Sequence, residues 1–212
     1  MNLLLFLPLD DSLAIYFVSL VIGFVFGSIP FGYLIARIRK IDIRNYGSKN
    51  IGFTNVYRTL GAVYAIPVLV LDGTKGFLPT FFGNKLGFTT ELIGLGAILG
   101  HIFTPWLFFK GGKGVATTIG VLLALAIKAL GLGILVFIVI LFASSYVSLS
   151  SLGFAISLPI FTLLFYPQQK LLIGIMILIA VIIIVRHKDN IRRLIKKQEP
   201  KFSIAKRTKK TE

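Results

Sequence analysis

Apolar residues fall into seven runs, 13–38, 60–82, 91–109, 115–127, 129–146, 149–166 and 170–185, separated by polar, glycine-bearing segments. Each run is close to, or somewhat short of, the ~20 apolar residues that a helix needs to cross hydrocarbon. The first carries Gly23, Gly27, Ser28, Pro30 and Gly32, which predicts a kink or unwound turn whose freed backbone groups need polar partners. The second contains Pro67 and is cut by Asp72-Gly73-Thr74-Lys75-Gly76, so it either crosses or re-enters; re-entry would leave five spans. The predicted fold is an all-α integral membrane protein of about seven transmembrane helices, some short or broken. Residues 1–195 form one domain, and 196–212 a flexible basic tail whose cations meet anionic lipid. Pro8, Asp10 and Asp11 precede the first long run where a cleaved leader would be basic, so that run is expected to be retained.

Composition and charge sharpen this picture. The chain has 212 residues, 56% of them hydrophobic, a net charge of +15 and a mean hydropathy of +0.88. A basic chain can serve nucleic acid, but these cations gather between apolar runs and in the tail. With seven spans, nineteen Lys and Arg share one side with the C-terminus and three lie on the other. The positive-inside rule then places the C-terminus and the polar islands in the cytoplasm and the N-terminus outside. With no cysteine, thiolate chemistry and disulfides are excluded, and the two histidines and eight acids have no metal-ligand spacing. No metal, cofactor, nucleic acid or obligate protein partner is expected.

The chemistry sits in the islands. In 100–120, GHIFTPWLFFKGGKGVATTIG, Gly111, Gly112 and Gly114 surround Lys113 just before a helix start at Val115. Unobstructed N–H groups, a helix N-terminus and an ammonium together make a phosphate site. The same loop also fits a plain turn whose lysine marks the cytoplasmic side. It is not a Walker A loop, because Val115 stands where Ser or Thr would hold magnesium. The island 44–58, RNYGSKNIGFTNVYR, offers hydroxyls and carboxamides for glycerol hydroxyls and arginine for phosphate, with Thr54 and Arg58 on one helix face. Asp72 and Lys75 form an ionisable pair inside an apolar run, a costly feature that marks function. His101 is a brace or a base. Ser148, Ser150 and Ser151 add hydroxyls, and Arg186, His187, Asn190 and Arg193 follow helical spacing that closes the same pocket.

These segments, in this order, resemble the PlsY family of bacterial acyltransferases. The resemblance is carried by GSKNIGFTNVYRTLG, LDGTKGFLP, GHIFTPWLFFKGGKGVAT and HKDNIRRL, and spans about residues 28–193. Lys49 and Phe53 stand where the family commonly has Gly and Ala. The resemblance implies transfer of an acyl group from acyl phosphate to the 1-hydroxyl of glycerol 3-phosphate, giving lysophosphatidic acid, at the cytoplasmic face of the inner membrane. It implies substrate contacts from Ser48, Asn50, Thr54, Asn55, Arg58, Gly111, Gly112, Gly114, Ser150 and Asn190. Catalytic parts are implied for Lys113, Ser151, His187, Asp72, Lys75 and His101. An acyl phosphate has a good leaving group, so holding two phosphates and aiming the hydroxyl is the main task, and a substrate phosphate can take the proton. The acyl chain is expected to lie past the aromatic stretch 103–109. The rival class is a small transporter for a phosphorylated solute, set against it by the lack of an internal repeat.

Overall fold

The structure, a computed structural model, describes residues 11–202; the expectations for 1–10 and 203–212 lie outside the described residues. Among the described residues there are ten α-helices. The first apolar run gives α1 (Asp11–Gly27) and α2 (Phe31–Ile38), parted at 28–30, where Pro30 lacks an amide hydrogen. The freed groups find partners from two other elements. Thr104 Oγ1 donates to the Ser28 carbonyl at 2.6 Å, Trp106 Nε1 to Ser28 Oγ at 3.0 Å, and Lys75 Nζ to the Ile29 carbonyl at 2.7 Å. The short α3 (Phe53–Leu60) leads into α4 (Ala62–Gly83), which continues unbroken through Asp72–Gly76 and both Pro67 and Pro79. At 22 residues α4 is about 33 Å long, so the cut expected at Asp72 is absent.

Then come α5 (Thr90–Ile102), α6 (Val115–Leu125), α7 (Ile127–Ser144), α8 (Val147–Phe165), α9 (Lys170–Arg186) and α10 (Lys188–Ile195). The third apolar run ends its helix at Ile102 rather than at 109. Pro105 opens a separate 3₁₀ turn, and Phe108 and Phe109 adopt left-handed φ of +54° and +61°. Among the described residues, four segments are long and apolar enough to cross a membrane: Ser12–Ile38, Ala62–Leu86, Ile127–Ser144 and Val147–Phe165. The pair α9–α10, bent by 58°, is a fifth if the two helices are taken as one span. With 13 and 11 residues, α5 and α6 fall short of a straight crossing.

Small residues let the helices meet backbone to backbone. Gly23 and Gly27 of α1 face Gly96 and Gly100 of α5, each pair at i, i+4. A Cβ built at any of the four would lie 1.9–2.3 Å from a carbonyl oxygen of the opposite helix. One core packs Ile98, Leu122, Phe154, Leu158, Met176 and Ile179 from α5, α6, α8 and α9; another packs Ile35, Ile43, Ile51, Val56 and Val68 around α2, α3 and α4. Apolar side chains also cover the outside: Leu135, Val139 and Phe142 on α7 and Ile156, Ile160 and Leu163 on α8 are exposed, the surface of a helix bundle solvated by lipid.

Candidate active site

A cavity of about 390 Å³ is lined by residues from the first island, α4, the end of α5, α6, α7, α8, α10 and the segment after it. Its polar rim begins with the loop before α3, which Asn55 organises. The Asn55 side chain, buried on the first turn of α3, donates to the carbonyls of Ile43 (3.1 Å), Tyr46 (3.0 Å) and Asn50 (2.8 Å). Its Oδ1 accepts from the Ser48 amide at 2.8 Å. Asn55, expected to hold glycerol 3-phosphate, lines the cavity, and its carboxamide is also bonded to the backbone that presents Ser48 and Asn50. Lys49 sits in this loop at φ +58°, a conformation that glycine would adopt without strain. Ser48, Asn50, Thr54 and Arg58 all line the cavity, Thr54 and Arg58 from one face of α3.

The glycine loop before α6 works differently from expectation. The Gly111 amide donates to the Ile102 carbonyl at 3.1 Å and the Gly112 amide to the His101 carbonyl at 3.0 Å, so neither is offered to a phosphate. Their carbonyls accept from the Arg186 guanidinium at 3.1 and 3.2 Å. Neither glycine lines the cavity; they are glycines because a Cβ on Gly111 would lie 2.1 Å from the His101 carbonyl and one on Gly112 1.9 Å from His101 Nε2. Gly112→Ala is therefore expected to displace the His101 ring and cost about 1–3 kcal/mol of stability, read as a lower midpoint of thermal unfolding. Gly114, at φ +90°, turns the chain into α6, and Gly114, Val115 and Ala116 line the cavity. The first turn of a helix has amide hydrogens without intrahelical acceptors, so this terminus, unlike the glycine loop, leaves backbone donors of the kind an anion takes.

Lys113 lines the cavity beside it and meets Asn190 Oδ1. Burial draws its ammonium down from the usual lysine range to about 8; Glu199 acts the other way, while Arg193, Arg58 and Arg186 add to the depression.

Asp72 and His101 form the floor of the cavity. Asp72 Oδ1 lies 2.7 Å from Lys75 Nζ, one helical turn on, and 3.5 Å from His101 Nδ1. Lys75 is only 5% exposed and lies behind this floor, outside the lining; besides Asp72 it meets the Ile29 carbonyl and, at 5.6 Å, the face of Phe31. Its place is therefore support for Asp72 and for the α1–α2 break.

On α8, Ser151 lines the cavity with its hydroxyl donated to the Val147 carbonyl at 2.8 Å. Ser150 lies outside the lining, bonded to the Tyr146 carbonyl at 2.9 Å, and Ser148 takes the place expected for it. His187 lines the cavity between α9 and α10; its Nδ1 donates to the Ile183 carbonyl at 2.8 Å, which leaves Nε2 as the acceptor of the neutral ring.

Three parts of the site were missed. The first is Glu199, only 6% exposed, in a segment expected to be free tail. It accepts from Ser148 Oγ (2.9 Å), Asn190 Nδ2 (2.7 Å) and Arg193 Nε (2.7 Å). Burial works to raise its carboxyl pKa, but these hydrogen bonds from Asn190, Arg193 and Ser148 outweigh it and hold the group below the usual range. The expectation of a free tail from residue 196 is thus corrected for 199–202. The Pro200 carbonyl accepts from Arg58 at 2.9 Å, and Phe202 packs on Tyr57 with centroids 5.1 Å apart. The second is the weight of Ser148, read from the sequence as one hydroxyl of three but here the one that lines the cavity beside Ser151. The third is the apolar wall: Leu69, Ile119, Ile134, Phe137, Ile138 and Leu141, from α4, α6 and α7. The aromatic stretch 103–109, past which the acyl chain was expected to lie, does not line the cavity, and Phe108 is 83% exposed.

The cavity thus joins a cationic, hydrogen-bonding rim to a greasy interior, and relatives agree with that chemistry. The family model described as glycerol-3-phosphate acyltransferase matches residues 17–197. A glycerol-3-phosphate acyltransferase of Geobacter sulfurreducens is 45% identical over 185 residues, covering 85% of this chain and 94% of the relative. One from Fusobacterium nucleatum is 42% identical, covering 88% and 98%. The crystal structure of PlsY (YgiH), an integral membrane glycerol 3-phosphate acyltransferase in its glycerol 3-phosphate form, superposes with a TM-score of 0.81 at 36% identity, covering 92% of this chain and 96% of that one. Its lysophosphatidic acid form gives a TM-score of 0.80 at the same identity. The chain belongs to the glycerol-3-phosphate acyltransferase family.

Proposed function

We propose that this protein moves the acyl group of an acyl phosphate onto the 1-hydroxyl of glycerol 3-phosphate, releasing lysophosphatidic acid and phosphate. Family membership makes it an acyltransferase of phospholipid synthesis acting on glycerol 3-phosphate, and the transporter alternative falls with it. The observation that carries the finer reading is the cavity itself, whose rim offers Lys113, Arg58 and the α6 N-terminus to phosphate while its wall is apolar. Ser48, Asn50 and Thr54 meet the glycerol moiety, and His187 and Ser151 flank the reacting groups. The hydroxyl oxygen bonds to the acyl carbon, the bond to the phosphate oxygen breaks, and phosphate leaves with the hydroxyl proton. No side chain is required as base when a phosphate oxygen can accept that proton. Asp72, Lys75 and His101 hold the floor against which these groups are set.

The seven-span arrangement, with α5 and α6 as its short members, belongs to the same proposal. So do a bacterial inner membrane, an N-terminus outside, and a rim open to the cytoplasm. The sidedness of the lysines and arginines supports them.

The test is transfer of radiolabelled glycerol 3-phosphate into lysophosphatidic acid by the purified protein with palmitoyl phosphate or palmitoyl-CoA. Product with the phosphate donor alone is expected. Arg58→Ala should raise the KM for glycerol 3-phosphate by about tenfold to a hundredfold, the worth of a hydrogen bond to a charged group. Equal or faster turnover with palmitoyl-CoA overturns the donor assignment.

A further inference from the structure

We propose that Glu199 is a positioning residue of the transfer site, which aims the Asn190 carboxamide at Lys113 and ties residues 199–202 across the cavity mouth. The inference rests on the site reading above and goes beyond it, since the polar islands did not include this residue and the expected tail gave it no role.

A carboxamide has a donor end and an acceptor end, and only one orientation lets Asn190 serve both neighbours. With Nδ2 donated to Glu199 Oε1, Oδ1 is left for the Lys113 ammonium. Turned the other way, Asn190 would point NH₂ at an ammonium and a carbonyl at a carboxylate. Glu199 therefore sets the orientation, and through it the place of Lys113. The same carboxylate joins two helices: Ser148 of α8 on Oε1, and Asn190 and Arg193 of α10 on Oε1 and Oε2. One and three residues on, the strap reaches α3 through the Pro200 carbonyl on Arg58 and Phe202 on Tyr57. Glu199 and Phe202 both line the cavity. A buried carboxylate is costly unless it is paired and fully hydrogen-bonded, and here two of its three partners, Ser148 and Asn190, line the site.

The charge matters as well as the shape. Lys113 is faced by Arg58 from α3, Arg186 from α9, His187, Arg193 from α10, and Glu199. Among these, Glu199 is the one negative group, and it favours the protonated ammonium. Taking the charge away lets the cations act on Lys113 unopposed, so its titration moves to lower pH.

The experiment compares wild type, Glu199→Gln and Glu199→Asp, each checked for folding by thermal unfolding. Glycerol 3-phosphate binding is measured by calorimetry without any acyl donor, and kcat and KM are measured across pH with whichever donor supports turnover. Glu199→Gln places an amide where three donors converge, and is expected to weaken glycerol 3-phosphate binding by roughly tenfold to a hundredfold. Its alkaline limb of activity should also move toward acid. Glu199→Asp keeps the charge but shortens the reach; binding should weaken while the limb stays at the wild-type pH. Unchanged binding and an unchanged limb in a folded Glu199→Gln overturn the proposal and leave Glu199 a tether. Tighter binding in Glu199→Gln overturns it in a different sense, because the carboxylate would then be occupying the substrate anion's place. Binding without a donor keeps this test separate from the identity of the donor: a wild type that binds glycerol 3-phosphate but turns over with neither palmitoyl phosphate nor palmitoyl-CoA sinks only the donor assignment.

Discussion

Lys113→Ala lowers kcat/KM for glycerol 3-phosphate by about 10²–10³-fold at neutral pH, the usual loss when one preorganised donor to developing charge is removed. Among the described residues, Lys113 is the one lysine that lines the cavity, beside the α6 N-terminus and across from Arg58. The Lys75 ammonium does not replace it, being held behind the floor by Asp72 and the Ile29 carbonyl. The pH dependence has a definite sign. With its titration near 8, Lys113 is charged at neutral pH and loses its proton as pH rises through that value. Wild-type activity should therefore fall on the alkaline side of about 8, and this limb should be absent from the residual activity of Lys113→Ala. Lys113→Arg should not restore full activity, because a planar fork does not replace a point charge held by one carboxamide oxygen. Steady-state kinetics of the purified protein across pH decides it. Activity of the alanine variant within a few-fold of wild type would remove Lys113 from the phosphate site.

The second large effect is on stability. Asp72→Ala leaves the Lys75 ammonium buried with a single carbonyl and an aromatic face as its company. Breaking a buried ion pair from one side costs about 3–5 kcal/mol, a substantial part of the stability of a folded domain. The midpoint of thermal unfolding in detergent should drop accordingly, and activity should be lost as the floor beneath His101 shifts. The double variant Asp72→Leu, Lys75→Met separates the two roles. With both charges replaced by apolar groups of similar size, stability should largely return while activity should not. Recovery of activity in the double variant would make the pair structural only, and an unaltered unfolding midpoint in Asp72→Ala would remove it from the fold's essential contacts.

Much of the site was legible because chemistry in an apolar chain stands out by contrast. The break at 28–30 followed from Pro30, the start of α6 from Gly114, and the shared face of Thr54 and Arg58 from their spacing. What misled was glycine. Gly111 and Gly112 read as a phosphate loop, yet their purpose is to let the chain pass against His101, a tertiary fact that spacing alone does not carry. The length of α5 was overestimated because 91–109 is largely apolar, and hydropathy does not register that Pro105 begins a new turn. Glu199 was hidden by its surroundings, since a lone carboxylate among tail cations ordinarily reads as a solvated charge. A signal was there: it is the one acid between residues 190 and 211, and a proline follows it. The apolar wall was beyond reach, because α7 is greasy on every face and only the packing of α4, α6 and α7 says which part of it turns inward.

The Asn55 carboxamide has a further consequence. Residues 43–50 contain one 3₁₀ turn and otherwise irregular backbone, yet a single side chain gathers three of their carbonyls and one amide. A loop of this composition, free in solution, would have to surrender its conformational entropy each time a small polar molecule arrived. Here that surrender happened at folding, so a ligand with few atoms to spend on binding meets a rim already in the shape it needs.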